Sequence, residues 1–238
     1  DTTVVHLSRS LPVSQKGELG RGLKGADIRF SVNGEAVSLA WTDDSIPGVP
    51  AQSYYAVKTY EDGDKINITA AAEGMKAVSS ATVVPSRFPL TSINFVLKGG
   101  EPNQLQFWIH FTDNAQTKDY YALKVERKRQ FWNDSKYSVE NSSLTLNLDD
   151  EPLLNTSSGL DDILMIENEF YRNLYYWDDT KIQGKSYKVR LNTNYEADYE
   201  DDFITPDGVE HIKCQVKYRI SLYSLSEEFY RYLKSLND

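Results

Sequence analysis

The sequence predicts an all-β protein made of two β-rich regions, with one helix at the C-terminus. Three observations carry this reading. Apolar and polar residues alternate with a period of two over most of the chain, which is the pattern of half-buried strands. Aromatic residues are abundant, with 16 Tyr, 9 Phe and 4 Trp, and they fit a pleated surface well. Glycine, asparagine and proline interrupt the alternation at short intervals, as turns require.

The elements follow in order. Ile28, Phe30 and Val32 alternate with polar residues, then comes Asn33-Gly34, then Val37, Leu39 and Trp41. Asn-Gly tolerates positive φ at both central turn positions, so 26–41 reads as a β-hairpin. Residues 53–60 and 65–72 form a second candidate pair, joined by the turn-like Glu61-Asp62-Gly63-Asp64. A strand near 76–84 ends at Pro85, and Pro85, Arg87 and Pro89 read as an extended linker. The chain has 238 residues, enough for one large domain or two small ones at about 100–200 residues each. The linker places the boundary so that 1–88 and 89–238 are the two domains.

The second region restarts with Ile93, Phe95 and Leu97 before a turn at 99–103. Leu105, Phe107, Ile109 and Phe111 form one apolar face, and Tyr121, Leu123 and Val125 the next. In 211–222, Ile212, Cys214, Val216, Tyr218, Ile220 and Leu222 point one way, which puts Cys214 in a core face. Residues 160–177 suit a helix by apolar spacing and a strand by their aromatics. Ser224 and Glu227 fit a capping box, and Leu225, Phe229, Tyr232, Leu233 and Leu236 keep helical spacing, so the helix is expected over 225–236.

Composition excludes several functions. Acidic residues number 35 and basic ones 26, giving a net charge of −9. That balance disfavours general binding to nucleic acid or anionic lipid, which need a cationic footprint. The longest pure apolar run is Ile163-Leu164-Met165-Ile166, too short to span a bilayer. The single Cys cannot form an intrachain disulfide or a thiolate zinc site. The charge is also uneven. Residues 149–210 carry 16 acidic and five basic side chains, a net of −11, and the remainder nets +2.

That acidic segment holds the candidate metal ligands. Glu196, Asp198, Glu200 and Asp202 recur at period two, so an extended backbone projects four carboxylates to one side. Hard oxygen ligands suit calcium, although such runs are also common as solvated loops. Asp149-Asp150-Glu151 and Asp161-Asp162 are read in the same way. Calcium is the one cofactor the residues suggest. Among the aromatics, Trp108 shares a polar strand face with His110, and this pair, with Trp132 and Trp177, supplies candidate ligand contacts. Lys124, Arg127, Lys128 and Arg129 form a basic patch that can pair with acidic residues or end as a solvated strand.

Other motifs carry less. Gly20-Arg21-Gly22-Leu23-Lys24-Gly25 spells G-x-G-x-x-G, but a dinucleotide site needs a preceding strand and a following helix, and here a hairpin follows. His6, His110 and His211 have no partner at metal-ligand spacing. No G-x-S-x-G elbow occurs, and no catalytic residue is assigned.

Four stretches resemble a known family. They are 63–85 (GDKINITAAAEGMKAVSSATVVP), 111–125 (FTDNAQTKDYYALKV), 177–191 (WDDTKIQGKSYKVRL) and 221–236 (SLYSLSEEFYRYLKSL). In order and spacing they resemble the Bacteroidetes cell-envelope lipoproteins of domain-of-unknown-function family 4249. The resemblance implies an N-terminal Ig-like β-sandwich followed by a second β-sandwich or barrel-like region. It also implies a lipid-anchored outer-membrane protein whose partner is a TonB-dependent uptake receptor. The chain begins at Asp1 without a lipobox cysteine, so the membrane anchor is an expectation of the resemblance. The expected function is therefore non-catalytic: ligand binding, or assistance to an uptake receptor. A structural or adhesive surface protein is the first alternative, and a hydrolase using a carboxylate pair is the second.

Overall fold

The computed structural model describes residues 2–8, 22–98, 104–133, 136–154, 173–206 and 208–235. Gly20, Arg21, the turn at 99–103, most of 160–177, the 161–162 acid pair and Leu236 lie outside the described residues. The chain divides into two compact units, Asp1–Ser86 and Arg87–Asp238; it is all-β in class, and among the described residues the one α-helix is at the C-terminus.

The first unit contains two antiparallel sheets. One joins β1 (Thr2–Val5), β5 (Ser53–Val57) and β4 (Ala40–Thr42), in that order. The other runs β3 (Glu35–Val37), β2 (Asp27–Val32), β6 (Lys65–Ala71), β7 (Val78–Val83). Asn33 and Gly34 both have positive φ, 54° and 84°, and close the tight β2–β3 turn, as their types predict. Two expectations need correction. The second hairpin arm stops at Val37, and Trp41 belongs to β4 in the other sheet, edge-on to Tyr54 at 4.8 Å. Likewise β5 and β6 do not pair with each other. The turn between them forms, with Asp64 Oδ2 accepting from the Glu61 N–H at 2.9 Å, but it leads from one sheet to the other. Period-two alternation shows which face a side chain takes, not which strand lies beside it.

The second unit is a sandwich. Its first sheet is β13 (Ser186–Asn194), β9 (Gln104–Thr112), β8 (Leu90–Leu97). Its second runs β11 (Lys136–Ser143), β10 (Tyr120–Asn133), β15 (Gly208–Leu225), β14 (Tyr199–Thr205), with β12 (Tyr175–Asp178) also pairing β10. Among the described residues neither sheet closes on itself, so they form no closed barrel. The predicted apolar faces meet in one core: Leu105, Phe107, Ile109 and Phe111 from β9 against Tyr121, Leu123 and Val125 from β10. Phe88 fits between Phe111 and Tyr121, with ring centroids 5.1 and 5.2 Å away. Cys214 is buried in its core face. The row Ile93, Phe95 and Leu97 behaves differently. It pairs with Ile109, Phe107 and Leu105 yet stays exposed, because β8 is the sheet edge and has a neighbour on one side only.

Helix α1 (Glu227–Ser235) packs on the opposite face of β10. There Leu233 is buried with Ala122, Leu174 and Leu225, flanked by Phe229 and Tyr230. The expected cap at Ser224 shifts by two residues. Ser224 is still in the ladder, opposite Tyr121, so Ser226 is the first residue free to cap, and its Oγ accepts from the Phe229 N–H at 3.3 Å. Glu227 and Glu228 then occupy the first turn, where the positive end of the helix favours acids. Tyr230 faces the sheet, and Tyr232 is exposed.

This packing gives a direct test. Leu233→Ala is expected to cost about 2–5 kcal/mol, the range for truncating a fully buried leucine. Tyr232→Ala should stay within about 0.5 kcal/mol, as for ordinary surface positions. Urea unfolding of the whole chain measures both.

Candidate functional site

A cleft of about 480 Å³ lies in the second unit, within the range of small-ligand sites. The connector 144–147 builds it by reaching both sheets. The Leu144 N–H donates to Val125 O on β10 at 2.9 Å, while Asn147 and Asn192 exchange backbone hydrogen bonds of 2.9 and 3.3 Å with β13. The lining includes Gln104 at the start of β9, Thr193 and Asn194 at the end of β13, Arg127 from β10, and Leu144 and Leu146.

Arg127 is the unusual member. It continues the inward row Tyr121, Leu123, Val125, so alternation sends a guanidinium between the sheets. Glu196 meets it there. Arg129 grips this carboxylate with its side edge, Nε and Nη2 each at 2.7 Å. Arg127 adds one bond, Nη1 to Oε2 at 2.6 Å. The Arg129 hydrogen bonds hold the Glu196 carboxyl below its ordinary pKa, against the effect of burial. The Arg127 Nε–H is buried and has no partner among the described residues.

The acidic turn 149–151 braces the neighbouring strand. Asp150 Oδ2 accepts from Gln106 Nε2 and Asn192 Nδ2 at 3.0 Å each, and from Lys98 Nζ at 3.1 Å. Those bonds, the one from Asn192 foremost, lower its pKa. Glu151 is buried and accepts from the Leu153 and Arg190 N–H groups and the Tyr187 hydroxyl. Burial, then this carboxylate, pushes Tyr187 up to about 12. Both acids thus act as locks that hold β13 beside the cleft.

Sequence reasoning missed a second cluster. Asp113, Asp119 and Asp179 bring carboxylate oxygens within 4.8 Å of one another, and among the described residues they alone form such a group of three. The run at 196–202 does not. Protein donors saturate most of this cluster. Asp113 accepts from the Tyr121 hydroxyl at 2.7 Å and the Gly184 N–H at 2.8 Å. Asp179, in the 3-10 turn Asp179–Lys181, accepts from Lys118 Nζ and the Asp119 N–H. Asp119 accepts from the Thr117 hydroxyl at 2.6 Å. Burial raises the Asp119 pKa against that bond, and the charges of Asp113 and Asp179 push the same way. Gly184 is fixed twice over: its φ is +68°, and a Cβ would lie 2.7 Å from that of Ala115. With Asp113 and Asp179 buried and Asp119 half-buried, this arrangement ties loops together.

The predicted site residues are dispersed. Glu196 serves the arginines, and Asp198 accepts from the Val216 N–H at 2.7 Å. Glu200 and Asp202 hold His211, at 2.9 Å to Nε2 and 2.7 Å to Nδ1. Trp108 lies half-buried on the outer face of β9, its Nε1 donating to Gln106 and the Lys188 ammonium 4.3 Å from its ring. His110 stands two residues along the same face, opposite Lys188. Trp132 is at the far end of β10 against Tyr137, 5.4 Å between rings. Trp177 is in the core beside Tyr121. None of these four aromatic positions lines the cleft. In the G-x-G-x-x-G stretch, Gly22 abuts Gln52, whose carbonyl oxygen would sit 1.9 Å from an added Cβ, and β2 follows rather than a helix.

The sequence pattern of the family described as Domain of unknown function (DUF4249) matches residues 1–238. The chain belongs to the DUF4249 family. No curated protein matches it. In this DUF4249 chain the resembling stretches 111–125 and 177–191 meet physically: they supply Asp113, Asp119 and Tyr121 on one side and Asp179 and Gly184 on the other.

The His211 clamp generates a pH test. Hydrogen bonds to Asp202 and then Glu200 raise the histidine's pKa. A raised folded value means the clamp's stabilisation is fully present below the unfolded value, about 6.5. It is lost as pH rises through the higher folded value. NMR titration of the imidazole should show the upward shift, and Asp202→Asn should reduce it.

Proposed function

We propose that this protein is a non-catalytic, lipid-anchored protein of the outer membrane that captures a polar ligand and serves a TonB-dependent uptake receptor. The cleft lined by Arg127, Gln104, Thr193 and Asn194 is the observation that carries the binding half of this reading. Its polar groups converge on a partly apolar floor, which is the usual make-up of a small-ligand site. The family resemblance supplies the envelope context and the receptor. The non-catalytic reading is supported by the remaining reactive groups. Burial raises the Cys214 thiol pKa, which disfavours a nucleophilic thiolate. The Asp113–Asp119–Asp179 group spends its oxygens on protein donors, which disfavours a carboxylate-pair hydrolase.

A surface protein that makes adhesive contacts is the second reading. The exposed edge row of Ile93, Phe95 and Leu97 favours it, since such edges invite protein contact.

The experiment is purification of the native lipoprotein from its membrane. Recovery from the outer membrane together with a receptor barrel is the expected outcome. Recovery without any receptor, and with no polar ligand that protects amides of 144–147 from exchange, would overturn the reading.

A further inference from the structure

We propose that the cleft takes the carboxylate of an acidic sugar, and that Arg127 is the residue that selects it. The inference rests on the reading of the cleft as a binding site and goes on to name its ligand class.

The two arginines on Glu196 are used unequally. A guanidinium has a side edge, Nε with Nη2, whose two parallel N–H groups match the two oxygens of a carboxylate. Arg129 spends that edge on Glu196. Arg127 touches the same carboxylate only through Nη1, so its side edge is left over. Its Nε–H is buried and has no partner among the described residues, which is costly for a buried donor. Arg129 also has Glu140, 3.6 Å from its Nη1, whereas Arg127 only shares Glu196. A ligand carboxylate laid along the Arg127 edge gives the orphan donor an acceptor and Arg127 a counter-charge of its own.

The other lining groups suggest what that carboxylate is attached to. Gln104, Thr193 and Asn194 make no side-chain hydrogen bond among the described residues, so two amides and a hydroxyl remain to pair with ligand hydroxyls. Leu144 and Leu146 provide an apolar surface for the C–H face of a sugar ring. Asn192, by contrast, is committed to Gln106 and Asp150. It holds the wall in place and is a positioning residue. A uronic acid combines these features: one carboxylate, several hydroxyls and an apolar ring face.

The test titrates the whole chain with D-glucuronate, with D-glucose, and with a tripeptide bearing a free C-terminus. Calorimetry gives affinity and amide NMR shifts give location. Glucuronate should bind at least roughly tenfold more tightly than glucose, the loss expected for one charge-assisted hydrogen bond. Its shifts should centre on 144–147 and 192–194. Arg127→Lys keeps the charge but lacks the fork, and should remove that preference while its melting temperature confirms folding. Gln104→Ala should weaken both sugars and keep their ratio. Equal binding of the two sugars, unchanged by Arg127→Lys, would overturn the carboxylate inference and leave the cleft reading standing. Tighter binding of the tripeptide would overturn the sugar assignment. No shift at any cleft residue with any probe would remove both readings.

Discussion

The second unit depends on one ladder. Strand β10 pairs with β15 along all fourteen of its residues, from Tyr120 opposite Leu225 to Asn133 opposite Ile212. Its other edge is shared, first by β12 and then by β11. Lys124 and Val125 fall between those two partners, and it is there that the connector 144–147 enters, through the bond from Leu144 to Val125. Both faces of β10 are also in use. Tyr121, Leu123 and Val125 face the sandwich core, while Tyr120 and Ala122 face the helix. A strand paired on both edges and covered on both faces is a fixed reference, and cleft and carboxylate cluster are both measured from it. Lys118 and Tyr121 serve the cluster at its start, and Arg127 serves the cleft midway.

The charge of the chain acquires a location from the same frame. From sequence, the acidic stretch 149–210 reads as cation ligands or as a solvated loop, and the basic patch can pair with it. Among the described residues much of it is engaged by the chain's own donors. Asp150 and Glu151 lock β13, Asp178 accepts from Tyr230 of the helix at 3.2 Å, Asp179 holds Lys118, and Glu196 holds two arginines. These carboxylates accept from the chain's own donors; Glu151 and Asp179, themselves buried, take backbone N–H groups that would otherwise lack partners. The basic patch on β10 divides by parity: Arg127 and Arg129 turn inward to Glu196, while Lys124 stands beside Glu126 at 3.6 Å on the other face.

What the sequence made legible follows from the range of each signal. The apolar faces of β9, β10 and β15 were readable because period two is local and each face meets the core. The Asn33-Gly34 turn was readable because its φ requirement is carried by two residues. Pairing was not readable, and β5 and β6 show why: their turn forms, but their neighbours come from strands distant in sequence. The helix start slipped from Ser224 to Ser226 because the β10–β15 ladder extends through Leu225, and a long-range pairing outweighs a local capping box. The site was the least legible part. Asp113, Asp119 and Asp179 are up to 66 positions apart, and no spacing rule joins them. Arg127 gave one hint, as the first charge on an inward row that begins Tyr121, Leu123, Val125.

That hint separates the two clusters. A buried polar group is tolerated when it is satisfied, and a shortfall marks the place where a fold departs from its own rules. In the Asp113–Asp119–Asp179 group the donors come from the chain itself: a tyrosine hydroxyl, backbone N–H groups, a threonine and a lysine. Two of the four resembling stretches, 111–125 and 177–191, meet there and tie loops together in this chain. Around Glu196 the hydrogen bonding is incomplete: Arg129 has a second carboxylate in Glu140 at 3.6 Å, while Arg127 shares Glu196 and keeps a buried donor without a partner among the described residues. The shortfall faces a cleft, beside amide and hydroxyl groups that are also uncommitted. In physical terms, the satisfied cluster belongs to folding, and the unsatisfied arginine is where this fold has affinity left to use.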